Sequence, residues 1–261
     1  KEFKEGDRVW INPMHSMPKY KTCQLGGFSE YIRVPDATLD HNLFKLADTI
    51  SWDEAALIEP FSVGTHGKNR PGAKPGDHVV VYGAGSIGLL CISALVAQGI
   101  IPVVIDIAFS DYKKALLEKI GAVMCPLDVD RFEFLKEHFG ELPQRQSGMA
   151  IDVDIVVDCA GAPNIIDDFF KLLKQNSRLS IVGVNRPQEV NLGRMMSAEV
   201  AILGSSGYDR SDIEEVIDNL ASKRTFVTDI ITHHYPLDKL NEALNMAADR
   251  EQSIKVVVDM E

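Results

Sequence analysis

"HVVVYGAGSIGLL", residues 78–90, decides the fold of this chain. Val79, Val80 and Val81 form a short apolar run, the pattern of a strand buried on both faces. The run passes straight into Gly83-Ala84-Gly85-Ser86-Ile87-Gly88, and an apolar stretch of helical length follows to residue 98. A G-x-G-x-x-G run means little by itself, because glycine-rich turns are frequent. Between a strand and a helix it acquires a mechanism. Gly83 permits the tight turn, Gly85 lets the backbone approach a pyrophosphate, and Gly88 lets the helix pack on the sheet. The helix start at Ser86 and Ile87 then offers unpaired N–H groups to the anion. The next strand, "PVVIDI", ends in Asp106, 18 residues past Gly88 (106 − 88). A carboxylate there accepts the hydroxyls of an adenosine ribose and repels a 2′-phosphate. Ile107, Ala108 and Phe109 supply no cation to rescue one, so the spacing predicts NAD rather than NADP.

Outward from this unit the same alternation continues. "SDYKKALLEKIGA" reads as a helix opened by Ser110 and closed by Gly121. "DIVVDCAG", "SRLSIVG" and "AILGSS" read as three more short apolar strands, with a helix between the first two. Buried strands interleaved with helices predict a parallel, doubly wound α/β sheet of the Rossmann type. The residues before it look β-rich: "DRVWINP", then "GGFSEYIRVP", whose alternation predicts a strand leaving a Gly-Gly turn. After it come helices at "SDIEEVIDNLASK" and "PLDKLNEALNMAAD" and an edge-like strand at "SIKVVVDM". The expected division is 1–62, 63–206 and 207–261, the last segment returning to the first domain.

Composition narrows the function classes. The chain has 261 residues, 45% of them hydrophobic and 25% charged, an ordinary soluble globular balance. Its formal net charge of -11 argues against nucleic acid or an anionic membrane as partner, since both need basic patches. No apolar run approaches the roughly 20 residues that span a bilayer. The four cysteines are scattered without a C-x-x-C pair, which predicts free thiols in a cytoplasmic protein.

With these residues placed, the chain resembles the medium-chain dehydrogenase/reductase superfamily, and within it the zinc-dependent alcohol and polyol dehydrogenases of the sorbitol and threonine branches. The matching stretches are "GDRVWINP", "GGFSEYIRVP", "LIEPFSVGTHG", "KPGDHVVVYGAGSIGLL", "VVDCAGAP", "LSIVGV" and "IITHHYPLDKLNEAL", in family order. The resemblance implies a Rossmann domain joined to an incomplete GroES-like, β-rich catalytic domain. It implies that Val63 packs on the nicotinamide ring, that Val182, Gly183 and Val184 line its amide, and that Lys255 reaches the pyrophosphate. A solvated Lys255 on an edge strand is the competing reading. It places Glu59 beside a catalytic zinc, on the strand that enters the cofactor domain. A structural Glu59 satisfied by backbone donors or an arginine would look the same in sequence. The family also implies a homodimer or homotetramer, paired through the sheet edge near residues 201–206.

The chain departs from the family pattern as clearly as it follows it. Family members carry further residues before the counterpart of Lys1, with a zinc-binding Cys, a proton-relaying Ser or Thr, and a Gly-His-Glu segment. No His-Glu dipeptide occurs here. Catalytic residues are therefore unknown and expected in that missing segment. The lobe that binds a structural zinc is reduced to "MHSMPKYKTCQLGGF", where His15 and Cys23 make a poor ligand pair. The sequence reads either as part of a longer protein or as a truncation. The expected function is oxidation of a secondary alcohol or polyol to a ketone, with NAD and zinc as cofactors and a small-molecule alcohol as partner. A zinc-independent enone or quinone reductase and a noncatalytic NAD-binding module are the alternatives.

Overall fold

In the computed structural model, residues 2–13, 26–144, 148–172 and 174–260 are described. His15 and Cys23 lie outside them. The chain divides into two compact units, residues 1–59 with 213–261, and residues 60–212.

In chain order the elements are β1 (Val9–Ile11), β2 (Leu43–Lys45), α1 (Trp52–Asn69), β3 (Val79–Tyr82), α2 (Ser86–Ala97), β4 (Val103–Ile105), α3 (Asp111–Ile120), β5 (Val123–Met124) and α4 (Arg131–Phe139). There follow β6 (Glu141–Pro143), β7 (Met149–Ile151), β8 (Ile155–Asp158), α5 (Ile165–Leu172), β9 (Arg178–Ile181), α6 (Leu192–Ala198) and β10 (Ala201–Gly204). The chain closes with α7 (Arg210–Ala221), β11 (Ile231–Pro236), α8 (Leu240–Ala248) and β12 (Lys255–Asp259). No helix among the described residues is long and apolar enough to cross a membrane.

Residues 60–212 hold a six-stranded parallel sheet in the order β10-β9-β8-β3-β4-β5. Its order along the sheet, from β5, is third, second, first, fourth, fifth, sixth, which is the Rossmann order. The expected strands are all present, and β3 and β8 are buried along their whole length. The strand order reverses between β3 and β8, so a crevice opens past their carboxyl ends, where ligands of such sheets bind. The caps follow the sequence reading. The Ser110 hydroxyl accepts the Lys113 N–H at the start of α3, and Gly121 ends it in the left-handed region at φ 95°.

The other unit is built from smaller pieces. β1 pairs antiparallel with β2, with Trp10 opposite Phe44 and their rings 5.7 Å apart. β11 and β12 form a parallel pair connected through α8. Two expectations fail here. "GGFSEYIRVP" forms no strand, for nothing among the described residues pairs with it and Tyr31 is 90% exposed. The segment carrying Glu59 is not a strand but the 18-residue helix α1.

Its start is a capping box. The Ser51 N–H donates to the Glu54 carboxylate at 2.7 Å, and the Glu54 N–H donates to the Ser51 hydroxyl at 3.1 Å. Lys223 adds two contacts of 2.8 Å to the same carboxylate. Pro60 sits inside the helix, and the carbonyl it leaves without an N–H belongs to Ala56, an exposed residue. Two glycines let the second half of α1 lie against its unit. A Cβ on Gly64 would stand 2.7 Å from the Cys91 amide nitrogen, and one on Gly67 would stand 2.7 Å from a Val182 methyl.

Candidate functional site

The crevice past β3 and β8 is lined by four strand ends. Past β3, Gly83 has φ +96°, a conformation that L side chains rarely adopt, and its N–H donates to Ile105 O at 2.8 Å. A Cβ on Gly88 would lie 1.9 Å from the Gly83 carbonyl oxygen, so the first turn of α2 rests directly on the loop. Gly85 differs from both. Its backbone is extended, and a Cβ built on it meets nothing within 4 Å. It caps α2 without any side-chain hydrogen bond to the helix start. An uncapped helix N-terminus beneath open space fits an anion such as a pyrophosphate.

Asp106, past β4, is nearly buried, and its oxygens face the loop. Oδ2 accepts the Ala84 N–H at 2.7 Å, and Oδ1 accepts the Ile107 N–H at 2.6 Å. The Ala108 N–H also lies 3.4 Å from Oδ1, so of about four acceptor positions one remains for a ribose hydroxyl. Ile107, Ala108 and Phe109 supply no cation, but one reaches Asp106 from further along the chain. Lys113, from the first turn of α3, brings its ammonium within 3.8 Å of Oδ2. Local sequence could not show this, because the loop between them folds back. Ile107 itself is 94% exposed, an apolar surface at the rim.

Past β8 and β9 two loops meet. Asp158, buried at the end of β8, accepts the N–H groups of Ala160 and Gly161 on Oδ1. Val182, Gly183 and Val184 follow β9, with the Val182 side chain turned toward α1 and Val184 97% exposed. Val63 is half-buried on α1, four residues beyond Glu59 and so one helical turn away. The predicted cofactor residues therefore fall into two sets. Val63, Gly83, Gly85, Ser86, Ile87, Gly88, Asp106 and Val182 to Val184 belong to residues 60–212. Lys255, the first residue of β12, belongs to the other unit together with Glu59.

Glu59 is half-buried, and burial holds its carboxyl above the ordinary range while the charge of Lys255 pulls the other way. No donor among the described residues hydrogen-bonds it. The structural reading, a carboxylate satisfied by backbone or arginine, thus finds no support among those residues. Nor do they complete a zinc site. Groups of three potential ligands within 4.8 Å occur at Asp53, His234 and Asp259, at His66, Asp209 and Asp212, and at His78, Asp152 and Asp154. Glu59 belongs to none of them, and catalytic zinc takes three protein ligands. Two of the groups already have structural partners. Asp212 accepts His66 at 2.7 Å and the Asp209 N–H at the start of α7, while Lys174 pairs with both Asp152 and Asp154. The residues described here do not by themselves fit zinc.

A six-stranded sheet in this order, with an open glycine loop and an acid after the second strand, defines a dinucleotide-binding class of protein. Comparison with known proteins narrows the class. Residues 53–260 match the family model described as glucose dehydrogenase C-terminus. A (R,R)-butanediol dehydrogenase of Neisseria gonorrhoeae is 30% identical over 238 residues, 90% of this chain and 63% of that protein. The sorbitol dehydrogenase of Homo sapiens is 30% identical over 260 residues, covering 93% and 70%. The crystal structure of 2R,3R-butanediol dehydrogenase from Bacillus subtilis superposes with a TM-score of 0.81 at 25% identity, covering 100% of this chain and 76% of that one. The chain belongs to this family, the zinc-type alcohol dehydrogenases of the medium-chain dehydrogenase/reductase superfamily. It spans about two thirds of the length of these two curated relatives.

Proposed function

We propose that this chain carries the NAD-binding part of an alcohol or polyol dehydrogenase, which oxidises a secondary alcohol to a ketone. The observation that carries the reading is the uncapped start of α2 beneath Gly85, with Asp106 one strand away. NAD, when bound, supplies the hydride acceptor. The chain's own residues bind and orient it. The N–H groups of Ser86 and Ile87 hold the pyrophosphate. Asp106 accepts an adenosine ribose hydroxyl and repels a 2′-phosphate, a bias that the Lys113 ammonium weakens without removing. Val63, Val182, Gly183 and Val184 form the nicotinamide end. Glu59 would be the residue, among those described, to face a zinc ion. The other ligands that zinc needs are not among the described residues, so no step of the reaction is derived through the metal. The substrate is a small secondary alcohol or sugar alcohol, and a second copy of the chain pairs along the exposed edge of β10.

Calorimetric titration of the chain with NADH and NADPH tests the cofactor reading. Tighter binding of NADH supports it, and equal or tighter binding of NADPH overturns it. Metal analysis and turnover of a panel of polyols test the chemistry. If Glu59→Ala leaves both zinc content and polyol turnover unchanged, Glu59 has no part in it. The incomplete ligand set at Glu59 favours one second reading, a noncatalytic NAD-binding module. Cofactor binding without zinc or turnover is its signature.

A further inference from the structure

Asp158 is an unusual acid. It is buried at the end of β8, the strand beside the reversal point, and no ion pair to it occurs among the described residues. Its charge is held by N–H donors instead. Oδ1 accepts the Ala160 and Gly161 N–H groups at 3.0 and 2.7 Å, and Oδ2 accepts the Asn185 side-chain amide at 2.8 Å. Its backbone carbonyl accepts the N–H groups of Val182 and Gly183 at 2.9 and 2.8 Å. One residue thus ties the loop after β8 to the loop after β9.

Asn185 is the other half of the tie. The same amide nitrogen donates to the Gly183 carbonyl at 3.1 Å, so it spans its own loop as well as the one opposite. Its oxygen accepts the Gln188 side-chain N–H at 2.7 Å, which fixes the nitrogen toward Asp158. The loops it joins touch closely. A Cβ on Gly161 would lie 2.5 Å from the Val184 carbonyl oxygen, and one on Gly183 would lie 2.4 Å from the Gly161 nitrogen. The Val182 and Gly183 N–H bonds to the Asp158 carbonyl hold the loops together where they leave the sheet. Beyond that point the touching backbones have no side-chain packing to set their separation. A charge-assisted hydrogen bond is short and directional enough to do so.

We infer that Asn185 is a positioning residue for the nicotinamide half of the cofactor, acting through Asp158 by fixing the gap between the two loops. The inference rests on the proposed function, because it takes Val182 to Val184 as the nicotinamide end. It adds a residue outside the glycine loop and makes a separable demand. The adenosine half of the cofactor is bound past β3 and β4, by Gly85 and Asp106, and does not depend on the tie.

Asn185→Ala in the full chain tests this with two probes, NADH and ADP-ribose, which lacks the nicotinamide. NADH affinity is expected to fall about tenfold, the order of effect for losing a hydrogen bond to a charged group. ADP-ribose affinity is expected to stay unchanged, and the fluorescence of bound NADH to move toward that of free NADH. Gln188→Ala leaves both loops intact and frees only the Asn185 amide. It gives a smaller loss in the same direction, about threefold, with ADP-ribose again unaffected. Unchanged NADH affinity and emission in Asn185→Ala overturn the inference. So does an equal loss of both ligands, which marks Asn185 as merely structural. A wild-type chain that binds ADP-ribose, with both variants behaving like it toward NADH, overturns the inference alone. A wild-type chain that binds neither ligand overturns the dinucleotide reading and the inference with it.

Discussion

The two units differ in how completely their acidic groups are satisfied, and the difference falls on one residue. In residues 60–212 each buried carboxylate has a full set of partners. Asp158 is held by three N–H donors, and Asp168 by Arg131 at 2.8 Å, Asn164 at 3.1 Å and Tyr82 at 3.3 Å. In the other unit Glu54 is satisfied by its capping box and Lys223, but Glu59 is left with only the distant charge of Lys255. The first unit is internally consistent, and its open groups face a crevice. The second carries a group whose partner is not among the described residues. An inconsistency of this kind is where function is to be sought.

Removing a partner in the satisfied unit should have the largest effect. Asp168→Ala leaves the Arg131 guanidinium, the Tyr82 hydroxyl and the Asn164 amide without their acceptor. It is expected to cost about 3 kcal/mol in denaturant unfolding, the lower end for a broken buried pair because Arg131 is partly exposed. A loss under 1 kcal/mol would show that these groups find water or each other. Next comes Gly88→Ala, whose Cβ must displace the Gly83 carbonyl. A cost of about 2 kcal/mol is expected, together with loss of NADH binding. Retained NADH affinity in a stable Gly88→Ala protein would break the link between the loop and the cofactor.

The pH dependence follows from Asp154. Burial raises its pKa, but Lys174 and the His78 N–H outweigh burial and hold it below the ordinary 3.8. A carboxyl with a depressed folded-state pKa stabilises fully above its unfolded value, and the contribution is lost as pH falls through the folded value. Stability should therefore fall below about pH 4. Asp154→Asn should flatten that acid limb, which urea unfolding at pH 3 and pH 6 measures. The smallest effect belongs to the unsatisfied acid. Glu59→Gln removes a charge that burial disfavours and is expected to stabilise the chain at pH 7, by at most about 1 kcal/mol given its partial exposure. A destabilised Glu59→Gln would mean that the acid has a structural partner, and the contrast between the units would dissolve.

Much of the first unit was legible in the sequence because its signals are local. A valine run, a glycine loop and an acid at the next strand end lie within 30 residues and specify one another. Ser110 and Gly121 bracket α3 for the same reason. The failures have different causes. α1 is buried on most sides around Leu57, Ile58 and Phe61, so its apolar residues show little helical periodicity, and Pro60 with Gly64 and Gly67 weakens the helix signal further. The spacing Ser51-x-x-Glu54 was the available clue. "GGFSEYIRVP" has a strand's alternation but no partner strand among the described residues, which no local pattern reveals. The Lys113–Asp106 contact spans only seven residues (113 − 106) but depends on the turn between them, and the Asn185–Asp158 contact spans 27, so no local pattern shows either.

The three glycines of this loop answer to different constraints. Gly83 and Gly88 are glycines for the protein's own sake, since the chain cannot take its shape with a side chain there. Gly85 has an ordinary extended backbone and empty space around its α-carbon. The folded chain has space for a methyl there, at the cost of a poorer N-cap for α2. On the proposed reading, that missing methyl is the room a bound pyrophosphate would need.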